Sequence, residues 1–254
     1  MWIQGGCVMT ETAAACINLS GINKSFGQQH VLKDIDLQIP FARIYGLLGP
    51  SGCGKTTMVK IMVGILEADS GHARVLDTSM PDLTTMSRIG YMAQGDALYN
   101  SLSAEENLSF FGSIYGMNRS DLKRRIPEVM GLMSLGDDIR KPVYAYSGGM
   151  KRRLSLAIAI LHNPPVLVLD EPTVGIDPLL RQSIWAELHR LCAGGVTILV
   201  TTHVMDEAEK CHQLAMMREG RIIAQGTAVD LQADIGASSL EEAFIRYGSQ
   251  ADES

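Results

Sequence analysis

No part of this 254-residue chain is a continuous apolar run long enough to cross a bilayer, which takes about 18–20 residues. The best candidate, "LSLAIAIL", is short and is closed by "HNPP". Any membrane role therefore falls to another polypeptide. Cysteine is scarce: Cys7, Cys16, Cys53, Cys192 and Cys211 are scattered, odd in number and without metal-site spacing. That usage suits a reducing compartment. The opening "MWIQGGCVM" lacks the basic region and long apolar core of a signal peptide. Met9 is an alternative initiator, and residues 1–13 are expected to form a disordered extension. Basic surplus is missing too. The net charge of −6 argues against a nucleic-acid partner. Repeats, low-complexity tracts and a coiled-coil heptad block are also absent from the sequence.

What remains is an ordinary globular composition, 46% apolar and 20% charged, enough for one large domain or a core with a lobe. "CINLSGINKSF" and "HVLKDIDLQI" predict two strands joined by "GQQ". "ARIYGLLG" predicts a buried strand, followed by a glycine loop and a helix from about Thr56 to Leu66. "RIGYMAQ" predicts a strand ending at Gln94. Residues 95–161 read as helical, a lobe inserted into a sheet core expected over 14–94 and 162–230. "PVLVLD" has the continuous apolar character of a central parallel strand, and "VTILVTTH" predicts another buried strand. "QLAMMREGRIIAQG" predicts a hairpin turning at Glu219-Gly220. Residues 231–254 are expected to hold a helix and a polar tail that frays after Ser249. Alternating strands and helices imply an α/β fold with a parallel sheet and right-handed crossovers. Ligands bind such sheets beyond the carboxyl ends of the strands. The glycine loop, Gln94, Asp170 and His203 all fall at such ends.

Gly49-x-x-x-x-Gly54-Lys55-Thr56 matches the phosphate-binding loop pattern. Glycines let successive amides point inward, and the following helix adds its positive end. Lys55 would reach the β- and γ-phosphates of a nucleotide, and Thr56 would ligate Mg²⁺. The bland alternative is a glycine turn with a solvated lysine. In "VLVLDEP" Asp170 would hold Mg²⁺ and Glu171 would polarise an attacking water. Here the alternative is an acid pair that caps the next element.

At this point the chain resembles the nucleotide-binding subunits of ATP-binding-cassette (ABC) transporters. "GPSGCGKTT" is similar to the Walker A loop, Gln94 in "YMAQ" to the Q-loop, "YSGGM" to the family's LSGGQ motif, "VLVLDEPTVGID" to Walker B and the D-loop, and "TTH" to the switch histidine. The resemblance runs from about Ile17 to Gly226. It implies a phosphate-loop NTPase (RecA-like) core, an antiparallel β subdomain at the N-terminal end and an inserted α-helical subdomain. It also implies ATP and Mg²⁺ as cofactors. Gly49, Pro50, Ser51, Gly52 and Cys53 would cradle phosphate together with Gly54, Lys55, Thr56 and Thr57, Cys53 through its backbone N–H alone. Gln94 would touch Mg²⁺ or the attacking water, and His203 the γ-phosphate. Phe26 would stack on adenine, or else serve as a core or turn aromatic.

Ser147, Gly148 and Gly149 would close on the ATP of a second subunit in a head-to-tail dimer, homomeric or heteromeric, with Asp177 across the interface. Both Ser147 and Asp177 also read as plain helix N-caps. "KRR" at 151–153 reads as a solvated helix start. Tyr146 and Met150 replace the motif's Leu and Gln, a form that resembles exporters of the second ABC class, including drug and polyketide efflux ATPases. The resemblance thus implies an ATPase on the cytoplasmic face of the membrane, paired with an integral permease subunit. A non-transport ABC ATPase acting on ribosomes or DNA stays open as an alternative, as does a phosphate-loop kinase or GTPase.

Overall fold

A computed structural model describes residues 15–95 and 97–252. The expected N-terminal extension lies outside the described residues. Two sheets organise the chain. The smaller is antiparallel, in the order β2-β1-β4-β5, from β1 (Ala15–Phe26), β2 (Gln29–Pro40), β4 (Ser70–Val75) and β5 (Thr78–Ser79). The larger has the order β10-β9-β3-β8-β7-β6. Its strands are β3 (Ile44–Leu48), β6 (Ile89–Met92), β7 (Val166–Asp170), β8 (Thr197–Thr202), β9 (Gln213–Arg218) and β10 (Arg221–Gly226). Strands β9, β3, β8, β7 and β6 run parallel, and β10 returns antiparallel through the Glu219-Gly220 turn. Both turn residues have positive φ, 48° and 80°, the geometry of a tight hairpin that matches the twist of its strands.

The apolar strands are covered on both faces. In β3, Ile44 and Leu48 enter one core while Tyr45 and Leu47 enter another. Strand β7 divides in the same way, Leu167 and Leu169 against Val166 and Val168. Side chains alternate across a strand, so a strand apolar at every position needs a layer on each side. One layer is α1 (Lys55–Met62) with the antiparallel sheet. The other is built by α6 (Pro178–Ala193) and the inserted helices α3 (Ala104–Ile114), α4 (Arg119–Leu132) and α5 (Gly148–Ile160). Short helices α2 (Leu83–Met86), α7 (Met205–Ala208) and α8 (Ala228–Asp234) fill connections, and α9 (Leu240–Asp252) closes the chain.

Local signals explain most helix starts. Ser103 and Glu106 form a reciprocal capping box on α3, and Asn118 caps α4. Pro127 inside α4 lies on the exposed face, where water can serve the carbonyl it leaves without a helical donor. Three boundaries differ from expectation. Helix α1 ends at Met62 rather than Leu66, β6 ends at Met92 with Gln94 two residues beyond, and α9 continues to Asp252 instead of fraying after Ser249.

His162, after α5, stacks on Tyr115 at the end of α3 with ring centroids 3.8 Å apart. Burial pulls its pKa from 6.5 to about 4, against a smaller opposing effect of the Ile89 backbone. Between those values the unfolded chain binds a proton that the folded chain refuses, so stability falls as pH drops through that window. Thermal unfolding is expected to show a lower Tm at pH 5 than at pH 7. His162→Phe should shrink that difference, and an unchanged difference would reject His162 as a source.

Candidate functional site

The glycine loop lies between the carboxyl end of β3 and the start of α1. Its back rests on the β9–β10 hairpin: the Gly220 N–H donates to the Cys53 carbonyl at 3.1 Å. A Cβ at position 49 would stand 2.3 Å from the Met217 carbonyl oxygen, so only glycine fits there. Gly54 caps α1 with φ 110°, a conformation that L side chains avoid. Cys53 is buried, and burial pushes its thiol pKa up although Lys55 acts the other way. A thiol held protonated contributes no nucleophile.

Lys55 is buried, and its Nζ donates to the carbonyls of Gly49 at 2.7 Å and Pro50 at 2.9 Å. Its ammonium is thus held over the mouth of the loop. The Thr56 hydroxyl donates to Asp170 Oδ2 at 2.8 Å, and Thr201 donates to the other carboxylate oxygen. Glu171 follows with φ 51°, a left-handed conformation costing a non-glycine residue of order 1–3 kcal/mol. Its N–H donates to the Thr201 hydroxyl at 3.0 Å. Gln94 Nε2 donates to Glu171 Oε2 at 3.2 Å, and His203 Nδ1 lies 3.2 Å from Oε1. Four strand ends, β3, β6, β7 and β8, therefore deliver one cluster.

Beside the cluster lies a cleft of about 360 Å³ lined by Ser51, Gly52, Gly54, Lys55, Thr56 and Thr57, with Gln94, Glu171 and half-exposed Phe26 at its edges. Pro50, Asp170 and His203 do not line it but adjoin residues that do. The structure does not bring Ser147, Gly148, Gly149 or Asp177 to this cleft. Ser147 caps α5, accepting from the Met150 N–H, and Asp177 caps α6, accepting from the Leu180 N–H at 3.0 Å. Gly149 faces the Gly175 carbonyl, so the SGG turn and the segment before Asp177 are neighbours.

Two buried side chains were not foreseen. The "KRR" segment is no solvated helix start: Arg152 is 7% exposed, and Arg153 donates to the Met133 and Ser134 carbonyls. Arg152 Nη1 donates to the carbonyls of Ala93 and Gln94 at 3.0 and 2.8 Å, and Nη2 to those of Asp170 and Glu171. Glu207, also buried, accepts from the hydroxyls of Thr173 and Thr202 and joins the segment after Glu171 to the end of β8. No sequence pattern marks Glu207. Arg152 had a usable signal, since positions 152, 156 and 159 share a helix face with two apolar partners.

Thr56, Asp170 and the amide oxygen of Gln94, whose Nε2 is engaged by Glu171, are the oxygen donors here that could hold a metal. A hydroxyl beside one carboxylate suits a hard cation such as Mg²⁺, whose remaining ligands come from phosphate and water. Among the described residues no cluster of three or more His, Cys, Asp or Glu forms a metal cage, so the protein alone would not fill the coordination shell.

The parallel sheet with its glycine loop at the carboxyl edge defines a nucleotide-binding domain of the phosphate-loop type. Residues 32–174 match the family model described as ABC transporter. The chain belongs to that family, as an ATP-binding subunit. It is 37% identical over 240 residues to the probable multidrug ABC transporter ATP-binding protein YbhF of Escherichia coli (strain K12), covering 91% of this chain and 41% of that one. It therefore spans about two fifths of that relative's length. It is 38% identical over 231 residues to the Nod factor export ATP-binding protein I of Paraburkholderia xenovorans (strain LB400), covering 89% of this chain and 76% of that one. A solved ATP-binding subunit of an ABC transporter superposes with a TM-score of 0.85 at 26% identity, covering 92% of this chain and 99% of that one. MJ0796, a bacterial ABC transporter cassette solved as a dimer, gives 0.78 at 25% identity over 83% of this chain and 98% of its own.

Proposed function

We propose that this chain binds MgATP at the glycine loop and hydrolyses it to power an exporter of the drug- or antibiotic-efflux type. One observation carries the reading: Glu171, held on its two oxygens by Gln94 and His203, stands at the edge of the loop cleft beside the Thr56–Asp170 pair. In this reading the loop amides and Lys55 bind the β- and γ-phosphates, with Lys55 exchanging its loop carbonyls for phosphate oxygens. Thr56 and Asp170 hold Mg²⁺, which when bound neutralises charge on those oxygens. Glu171 takes a proton from a water that attacks the γ-phosphorus, and the bond to the ADP oxygen breaks. His203 and Gln94 fix the carboxylate's direction, and Phe26 meets the base.

Ser147–Gly149 and Asp177 would meet ATP held by a second subunit, homomeric or heteromeric. Their position away from the chain's own cleft supports this, as does the dimeric structural relative. An integral membrane subunit would dock where the helical lobe meets the core. An apolar groove of about 310 Å³ there includes Gly95, Ala97, Leu98 and Phe111, and runs on to exposed Ile65. In this reading the chain sits beside that subunit on the inner face of the cell membrane; among the described residues no helix is long and apolar enough to cross a membrane. The net charge of −6 argues against a nucleic-acid partner.

Affinity purification from native membranes, with phosphate release measured on the purified material, tests this reading. Mg²⁺-dependent hydrolysis and a co-purifying integral membrane protein are expected. Absence of hydrolysis, or recovery with ribosomes instead, would overturn it.

A further inference from the structure

Arg152 occupies a position that the catalytic reading above leaves without a role. It is buried on α5, five residues beyond Ser147. Its two terminal nitrogens reach four main-chain carbonyls in two separate segments. Ala93 and Gln94 lie just past β6, and Asp170 and Glu171 at the end of β7. These segments carry three of the acting side chains: Gln94, Asp170 and Glu171. A guanidinium is a planar fork with five fixed N–H donors, so it can set the spacing between two strands in a way that a single ammonium cannot.

The Glu171 end of this clamp is the demanding one. Its backbone is left-handed, a state that persists only where the surroundings over-determine it. Thr201 holds the Glu171 N–H and Arg152 holds the Glu171 carbonyl, one anchor on each side of the strained bond pair. Helix α5 packs against the adjacent strands β6 and β7, so the anchor from α5 reaches Glu171 directly.

We propose that Arg152 is the positioning residue that ties helix α5, and with it the Ser147–Gly149 turn, to the backbones of Gln94 and Glu171. A shift of α5 when that turn engages a nucleotide then moves the base and the Q-loop residue together. The inference rests on Glu171-dependent hydrolysis, and its test separates the two. If the unaltered protein shows no Glu171-dependent hydrolysis, the functional reading itself fails. Where hydrolysis is present, Arg152→Lys keeps the charge and most of the bulk but loses the fork. It is expected to lower kcat about 100-fold, the scale of a misplaced catalytic group, with ATP affinity within about threefold of the parent. Arg152→Ala is expected to show the same split and to regain at least tenfold in kcat when ethylguanidinium is added below denaturing concentration. A purely structural role would not give that rescue. Full activity in Arg152→Lys would overturn the proposal. So would an equal loss of kcat and ATP affinity, absent rescue, or failure of both variants to fold, because each makes the arginine a packing element only.

Discussion

Glu171→Gln is expected to keep ATP binding, lose turnover by about 10²–10⁴-fold and accumulate an ATP-bound dimer. The amide has the carboxylate's size, and its oxygen can still accept from Gln94 Nε2. It cannot take the proton that attack on the γ-phosphate releases. Binding depends on Lys55, Thr56 and the loop amides, none of which the change touches. In the proposed cycle ATP closes two subunits and hydrolysis reopens them, so closure should proceed while reopening stalls. Steady-state phosphate release together with size-exclusion chromatography in ATP checks both halves. Unchanged hydrolysis would remove Glu171 from its role as base. A monomer that binds ATP without turnover would leave the base in place and count against the dimer.

Lys55→Ala should weaken ATP binding by about 100-fold or more. One ammonium reaching two phosphates makes charge-assisted contacts of roughly 1.5–3 kcal/mol each, and each 1.4 kcal/mol is tenfold in affinity. The variant also strips the Gly49 and Pro50 carbonyls of their donor, so the loop itself should loosen. Calorimetric titration with ATP gives the affinity, and the nucleotide-free Tm separates loop loosening from lost phosphate contact. Normal affinity would show that the loop does not grip a triphosphate through this lysine.

The legibility of this chain follows where its chemistry is local. The phosphate loop is a run of backbone requirements, and those requirements are glycines in fixed places. Strands β3 and β7 are apolar at nearly every position, and β8 at its centre Ile198–Val200, because both faces are covered, and a two-sided strand is visible without knowing its partners. Strands β4 and β5 and helix α2 left no such mark. In β4 only Ala73 and Val75 are buried, so the strand is specified by its pairing with β1 rather than by its own pattern. Arg152 was misread for a related reason. Helix α5 buries Leu154, Leu156, Ala157, Ile158, Ala159 and Ile160, almost its whole circumference. On a helix enclosed on that many sides, a charged residue has no outer face to occupy. The position of Gln94 came from its motif, and its bond to Glu171 joins groups 77 residues apart, which no local pattern encodes.

The twisted backbone at position 171 sets durability against work. Glycine or asparagine would rest more easily in that conformation, and neither could serve as a base. Selection for heat resistance alone would favour such replacements, and if Glu171 is the base proposed above, the sturdier proteins it yielded would be inert. On the proposed mechanism, the acid stands where it is least comfortable because turnover, not the fold, calls for it.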